Sequence, residues 1–152
     1  MSTTPPINNL IPAVIHVAGT NFTGYVCNIY TRAFVKQHPD KLFIFGDNVE
    51  RKGGGGQAVI RGLPNVFGIA TKWAPTYCSD DYFSDLNREC LPIIATDLSC
   101  LKARLAEQPQ PLVYPVAGIG TGRAMLQTMA PNLLKYLTEQ LYATRVHTRP
   151  CS

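Results

Sequence analysis

Two glycine-rich segments hold the residues best suited to chemistry. The first runs Gly46-Asp47-Asn48, then four residues, then Gly53-Gly54-Gly55-Gly56-Gln57. Consecutive glycines expose backbone N–H groups with no Cβ beside them, so a phosphate can come close to the main chain. A helix starting after Gly56 adds the partial positive charge of its N-terminus. The second segment reads Gly118-Ile119-Gly120-Thr121-Gly122-Arg123. It has neither the dinucleotide fingerprint G-x-G-x-x-G nor the Gly-Lys-Ser/Thr ending of a P-loop, so triphosphate hydrolysis by a P-loop has no support. Arg123 can offer two parallel donors to a phosphate.

A third stretch, Ile69 to Tyr77, carries Lys72 and the sole tryptophan, Trp73. An ammonium can face a phosphate and an indole can stack on a base, with plain core filling as the competing role for Trp73. Asp80, Asp81 and Asp85 precede a helical pattern and read as caps rather than as a metal site. The five cysteines are scattered without a C-x-x-C pair, beside only three histidines. No disulfide framework, zinc site or other metal is expected, and the cysteines read as small buried hydrophobes in a reduced cytoplasm.

These segments need strands to hold them. Short β-type runs, Leu42 to Phe45, Val66 to Ala70 and Leu112 to Val116, lead into the first, third and second segments respectively. Loops that follow buried strands are where open α/β sheets bind ligands. Ala13 to Val17 is a fourth strand, and Tyr25 to Tyr30 a fifth candidate whose poor alternation leaves a helix open. Thr31 caps a helix Arg32 to Gln37, stopped by His38-Pro39. Pro92 sits in the first turn of a helix to about Gln108, with Ile94, Leu98, Leu101 and Leu105 as its stripe. Pro131 opens a last helix with Leu133, Leu134, Leu137 and Leu141 on one face, and Lys135, Thr138 and Glu139 on the wet one.

Strands alternating with helices predict an α/β layer fold. A length of 152 residues suits one domain. It is placed at residues 11–147, with 1–10 and 148–152 as flexible ends. At 45% hydrophobic and 16% charged residues, disorder is excluded. The net charge of +4 permits anionic ligands, yet no basic stripe with interleaved aromatics accompanies it, so nucleic acid is not an expected partner. Pro12 and His16 interrupt the one apolar stretch near the N-terminus, and no membrane partner is expected.

Taken together the two loops resemble the macro domains, which bind ADP-ribose. That family runs from a strand into Asn-Ala-Ala-Asn, four residues, a glycine run and a helix. Gly46-Asp47-Asn48, four residues and Gly53 to Gly56 match in order and spacing, with Asn48 on the last asparagine. The family's later strand, ending in proline before a glycine-rich loop with Thr-Gly, is similar to Pro115 to Gly122.

The resemblance covers roughly residues 40 to 143. It implies a three-layer α/β/α domain with a mixed, mostly parallel sheet, no cofactor, ADP-ribose or a related nucleotide as ligand, and an ADP-ribosylated protein as partner. The diphosphate would lie between Gly53–Gln57 and Gly118–Gly122, with Arg123, Lys72 and Trp73 beside it and Asn48 at the distal ribose. Hydrolysis of an ADP-ribosyl bond would use Asn48 to orient a water and Asp47 as base. Hydrolase branches often carry Val-Asp after the glycine run, where Gln57-Ala58 stands here, and Arg123 stands where the ester-cleaving branch has an acid. An early Gly-Asp-Ile, whose aspartate reads adenine, has no counterpart beyond Asn21. The resemblance therefore favours binding over catalysis. The alternative is a non-catalytic binder that sequesters or reads a nucleotide signal, with an RNA-binding module as a third reading.

Overall fold

The computed structural model describes residues 9–146. Most of both expected flexible ends lies outside the described residues, and Leu10 already begins the first strand. That strand, β1 (Leu10–Val17), turns into β2 (Thr20–Cys27) through Ala18 and Gly19, whose φ angles of 43° and 89° suit a tight two-residue hairpin. There follow α1 (Arg32–Lys36), β3 (Leu42–Asn48), β4 (Val66–Lys72), α2 (Cys90–Glu107), β5 (Leu112–Pro115), α3 (Leu126–Met129), α4 (Pro131–Gln140) and β6 (Leu141–Arg145).

The six strands among the described residues form one mixed sheet in the order β4-β3-β5-β2-β1-β6. β3 pairs in parallel with β4 and β5, β5 pairs in parallel with β2, and β1 is antiparallel to β2 and β6. β3, β4 and β5 therefore release their carboxyl ends along one edge. The run Leu42-Phe43-Ile44-Phe45 is almost wholly inaccessible, and its alternate residues enter different apolar clusters. Leu42 and Ile44 join Leu98, Leu101 and Leu112, whereas Phe43 and Phe45 join Val35, Ile60 and Val113. A strand buried on both faces requires such a continuous apolar run.

Local chemistry explains where the helices start. The Thr31 hydroxyl accepts from the Phe34 N–H at 3.1 Å and caps α1. Asp85 caps α4 from a distance, its two oxygens accepting from the N–H groups of Asn132 and Leu133 at 3.0 Å each. Asp81 accepts from the Cys78 N–H and the Thr76 hydroxyl. Among the described residues no acidic, histidine or cysteine cluster could hold a metal, and no helix is long and apolar enough to cross a membrane.

Several expectations need correction. Only one turn of 3-10 helix, Gly56–Ile60, follows the glycine run, so the helix dipole invoked for the cradle is absent. The strand expected at Tyr25 to Tyr30 lies earlier, as β2. Gly24 hides it, because β2 passes so near β5 that a Cβ there would sit 2.3 Å from the Leu112 carbonyl oxygen. Leu141 opens β6 instead of extending the α4 stripe, because the chain there pairs with Val17. Cys78 and Cys100 are exposed, while Cys27 and Cys90 fit the buried reading and Cys151 lies outside the described residues.

Candidate functional site

The carboxyl ends of β3, β4 and β5 enclose a cleft of about 200 Å³. β3 contributes Gly46, Asp47 and Asn48, and β4 contributes Thr71 and Lys72. The glycine run supplies Lys52, Gly53, Gly55, Gly56 and Gln57, and the loop after β5 supplies Gly120, Gly122 and Arg123. Pro75 and Tyr77 close one side. The two glycine-rich segments thus meet in space, 61 residues apart at the Gln57–Gly118 contact.

That contact is a brace. Gln57 Oε1 accepts from the Gly46 N–H at 2.8 Å, and its Nε2 donates to the Gly118 carbonyl at 2.7 Å. Asn48 braces the turn beside it: its Nδ2 donates to the Lys52 carbonyl at 2.8 Å and its Oδ1 accepts from the Lys52 N–H at 3.4 Å. Both amides hold loops in place with the very atoms expected to meet a ligand or a water.

Asp47 is similarly committed. Its side chain is 3% exposed and forms ion pairs with Arg51 and Arg61. Oδ1 accepts from Arg61 Nη2 and from the Asn48 N–H, and Oδ2 from Arg51 Nη1 at 3.5 Å and Arg61 Nε at 3.4 Å. With both oxygens occupied by protein donors, the carboxylate is committed to holding the loop, which argues against the expected base role. Arg61 also donates to the Gly53 carbonyl and so fixes the glycine run. Arg51 grips both oxygens of Asp97 at 2.9 Å, and Asp97 accepts from the Ala70 N–H at 2.8 Å, joining α2 to β4.

The cations facing the cleft are a different case. Lys72 is buried, donates to the Thr76 carbonyl at 2.6 Å, and lies over the rings of Tyr77 and Tyr82 at 4.4 and 4.7 Å. Arg123 crosses the glycine run and donates from Nη1 to the Tyr77 hydroxyl at 2.8 Å. A Cβ on Gly55 would stand 2.4 Å from that Nη1, so only glycine admits the guanidinium there. Among the described residues neither Lys72 nor Arg123 has a carboxylate partner. The backbone N–H groups of Gly53, Gly54, Gly55 and Gly56 likewise have no hydrogen-bond partner among the described residues. Buried cations are ordinarily paired, so an unpaired one lining a cleft with free amides is suited to an anion.

Five expected ligand residues do not line the cleft. Trp73 packs edge-on against Phe83 at 5.1 Å and belongs to the core margin. Ile119 is a buried core residue, and Thr121 closes its own turn on the Ala117 carbonyl at 2.7 Å. Gly54 projects into open space, and Gly118 serves as the acceptor of the Gln57 brace. Conversely, sequence reasoning missed Arg51, Arg61, Asp97, Thr71 and Tyr77. Only Asp97 left a signal: an acid between Ile94 and Leu98 on a helix stripe calls for a buried partner.

The profile of a family of unknown function (DUF7831) matches residues 25–140. The chain belongs to this family. The DUF7831 match takes in the whole cleft, from Gly46 through Arg123, and stops at the end of α4. No curated protein and no solved structure matches the chain.

Proposed function

We propose that the cleft binds the phosphates of a nucleotide metabolite of the ADP-ribose kind, and that the chain is a binder rather than a hydrolase. One observation carries this reading: three cations, Lys52, Lys72 and Arg123, line a cleft edged by glycine amides, and among the described residues the cations have no carboxylate partner and the amides no hydrogen-bond partner. Such a set offers charge-assisted hydrogen bonds to an anion at little cost of reorganisation. The separate apolar clusters on alternate residues of β3 support a macro-like, three-layer arrangement around the mixed sheet. The commitment of Asp47 to two guanidinium groups keeps it from serving as a free base, which favours binding over turnover.

Calorimetric titration with ADP-ribose and ADP, paired with an assay for release of ADP-ribose from a modified protein, tests both halves. Saturable binding with no release fits the proposal. Release above the uncatalysed rate assigns a hydrolase. Failure to bind either compound removes the ligand class.

A further inference from the structure

On the phosphate reading of the cleft, the rest of the ligand meets the residues at its mouth. About 200 Å³ is small beside the roughly 300–1,000 Å³ that encloses a drug-sized ligand, so a base carried on a ribose diphosphate has to rest outside. The aromatic group there is Tyr77, which is 58% exposed. Two cations fix its ring: Lys72 Nζ lies over it at 4.4 Å, and its hydroxyl accepts from Arg123 at 2.8 Å. The ammonium lies over one face, so a base would stack on the other. A held ring is a good stacking platform, because little side-chain freedom remains to be lost on binding.

The carboxylates near this rim, which could accept from a base's amino group, are already engaged: Asp47 by Arg51 and Arg61, and Asp81 by the Thr76 hydroxyl and the Cys78 N–H. Stacking is tolerant of base identity, since every base presents a π-face. The geometry points to Tyr77 as a base platform, and to a ligand class of purine nucleoside diphosphates and their ribosyl derivatives taken with little regard to which purine they carry. This rests on the phosphate reading of the cleft and adds to it where the base lies and how it is chosen.

The test titrates pyrophosphate, ADP and GDP into the parent chain, Tyr77→Ala and Tyr77→Phe. The parent is expected to bind ADP and GDP within about threefold of each other and pyrophosphate more weakly. Tyr77→Ala should lose about tenfold to a hundredfold for both nucleotides while holding its pyrophosphate affinity, and Tyr77→Phe should keep the nucleotide affinities. Unchanged ADP affinity in Tyr77→Ala overturns the platform and spares the phosphate cleft, as does a preference above about thirtyfold between ADP and GDP. A parent that binds none of the three overturns the cleft reading and the platform with it.

Discussion

Gln57 Nε2 donates to the Gly118 carbonyl at 2.7 Å, tying the glycine run after β3 to the glycine loop after β5. With Oε1 on the Gly46 N–H, one side-chain amide sets the width of the cleft. Gln57→Leu leaves a donor and an acceptor unmatched in a partly buried place. We expect a loss of about 1–3 kcal/mol in denaturant-measured stability, together with weaker phosphate binding. Stability and affinity both equal to the parent would show that the loops hold their spacing without the brace.

Glycine substitutions separate the run position by position. Gly55→Ala drives a Cβ into the Arg123 guanidinium, the mobile end of a long side chain, so the fold should hold while the guanidinium is displaced from the cleft and phosphate affinity drops. Gly54→Ala meets nothing within 4 Å and should leave affinity and stability near the parent's. Equal binding by both variants in a calorimetric titration would dissociate Arg123 from the site.

Lys72→Met discriminates a binding cation from a structural one. The lysine is buried and among the described residues has no carboxylate partner, so an apolar side chain of similar length gives up the bond to the Thr76 carbonyl and two ring contacts but also the desolvated charge, and the melting temperature should change little. Phosphate affinity should fall by about 1.5–3 kcal/mol, the value of a charged hydrogen bond. A large loss of stability with binding intact would assign Lys72 to the scaffold.

Asp47→Asn should do the opposite. Two guanidinium groups lose their shared partner beneath the cleft, and removing one member of a buried ion pair costs about 3–5 kcal/mol. Because Arg51 and Arg61 keep some exposure, the lower part of that range is expected by chemical denaturation. A fully stable Asp47→Asn chain that had lost a hydrolytic activity would restore the base role.

Tyr30 gives the fold an alkaline limit. Its hydroxyl donates to the carbonyls of Ile44 and Val113 between β3 and β5, and burial, aided by Cys27 and Tyr114, holds its pKa well above the usual value. A group whose folded pKa is raised stabilises the protein below the unfolded pKa, about 10, and that contribution fades as pH rises beyond it. Stability should therefore decline above about pH 10, and Tyr30→Phe should start lower and lose part of that decline. An identical alkaline slope in both chains would place the titration elsewhere.

Much of the site's framework was legible because it depends on local signals. Apolar runs such as Leu42 to Phe45 and helix stripes such as Ile94, Leu98, Leu101 and Leu105 were read directly, and the glycines marked where backbone must approach something closely. Tertiary pairing was not legible. β6 exists because β1 offers a free edge, and Leu141 alone cannot say whether it ends a helix or begins a strand. The protein partners of the polar residues were not legible for the same reason. Asn48, Gln57 and Asp47 line the cleft with the chemistry of ligand contacts, and each also holds a protein partner that no sequence pattern encodes. Arg61 closes on Asp47 fourteen residues away, across a turn of 3-10 helix that reads as an ordinary helix start.

The glycine amides offer the most direct measurement of the central claim. In a proton–nitrogen correlation spectrum titrated with ADP-ribose, the resonances of Gly53, Gly55, Gly56 and Gly122 should shift together and saturate. Gly19, in the β1–β2 turn and outside the cleft lining, should stay in place. Saturation that leaves the four cleft glycines unmoved, or no change at millimolar ligand, would contradict the phosphate cradle.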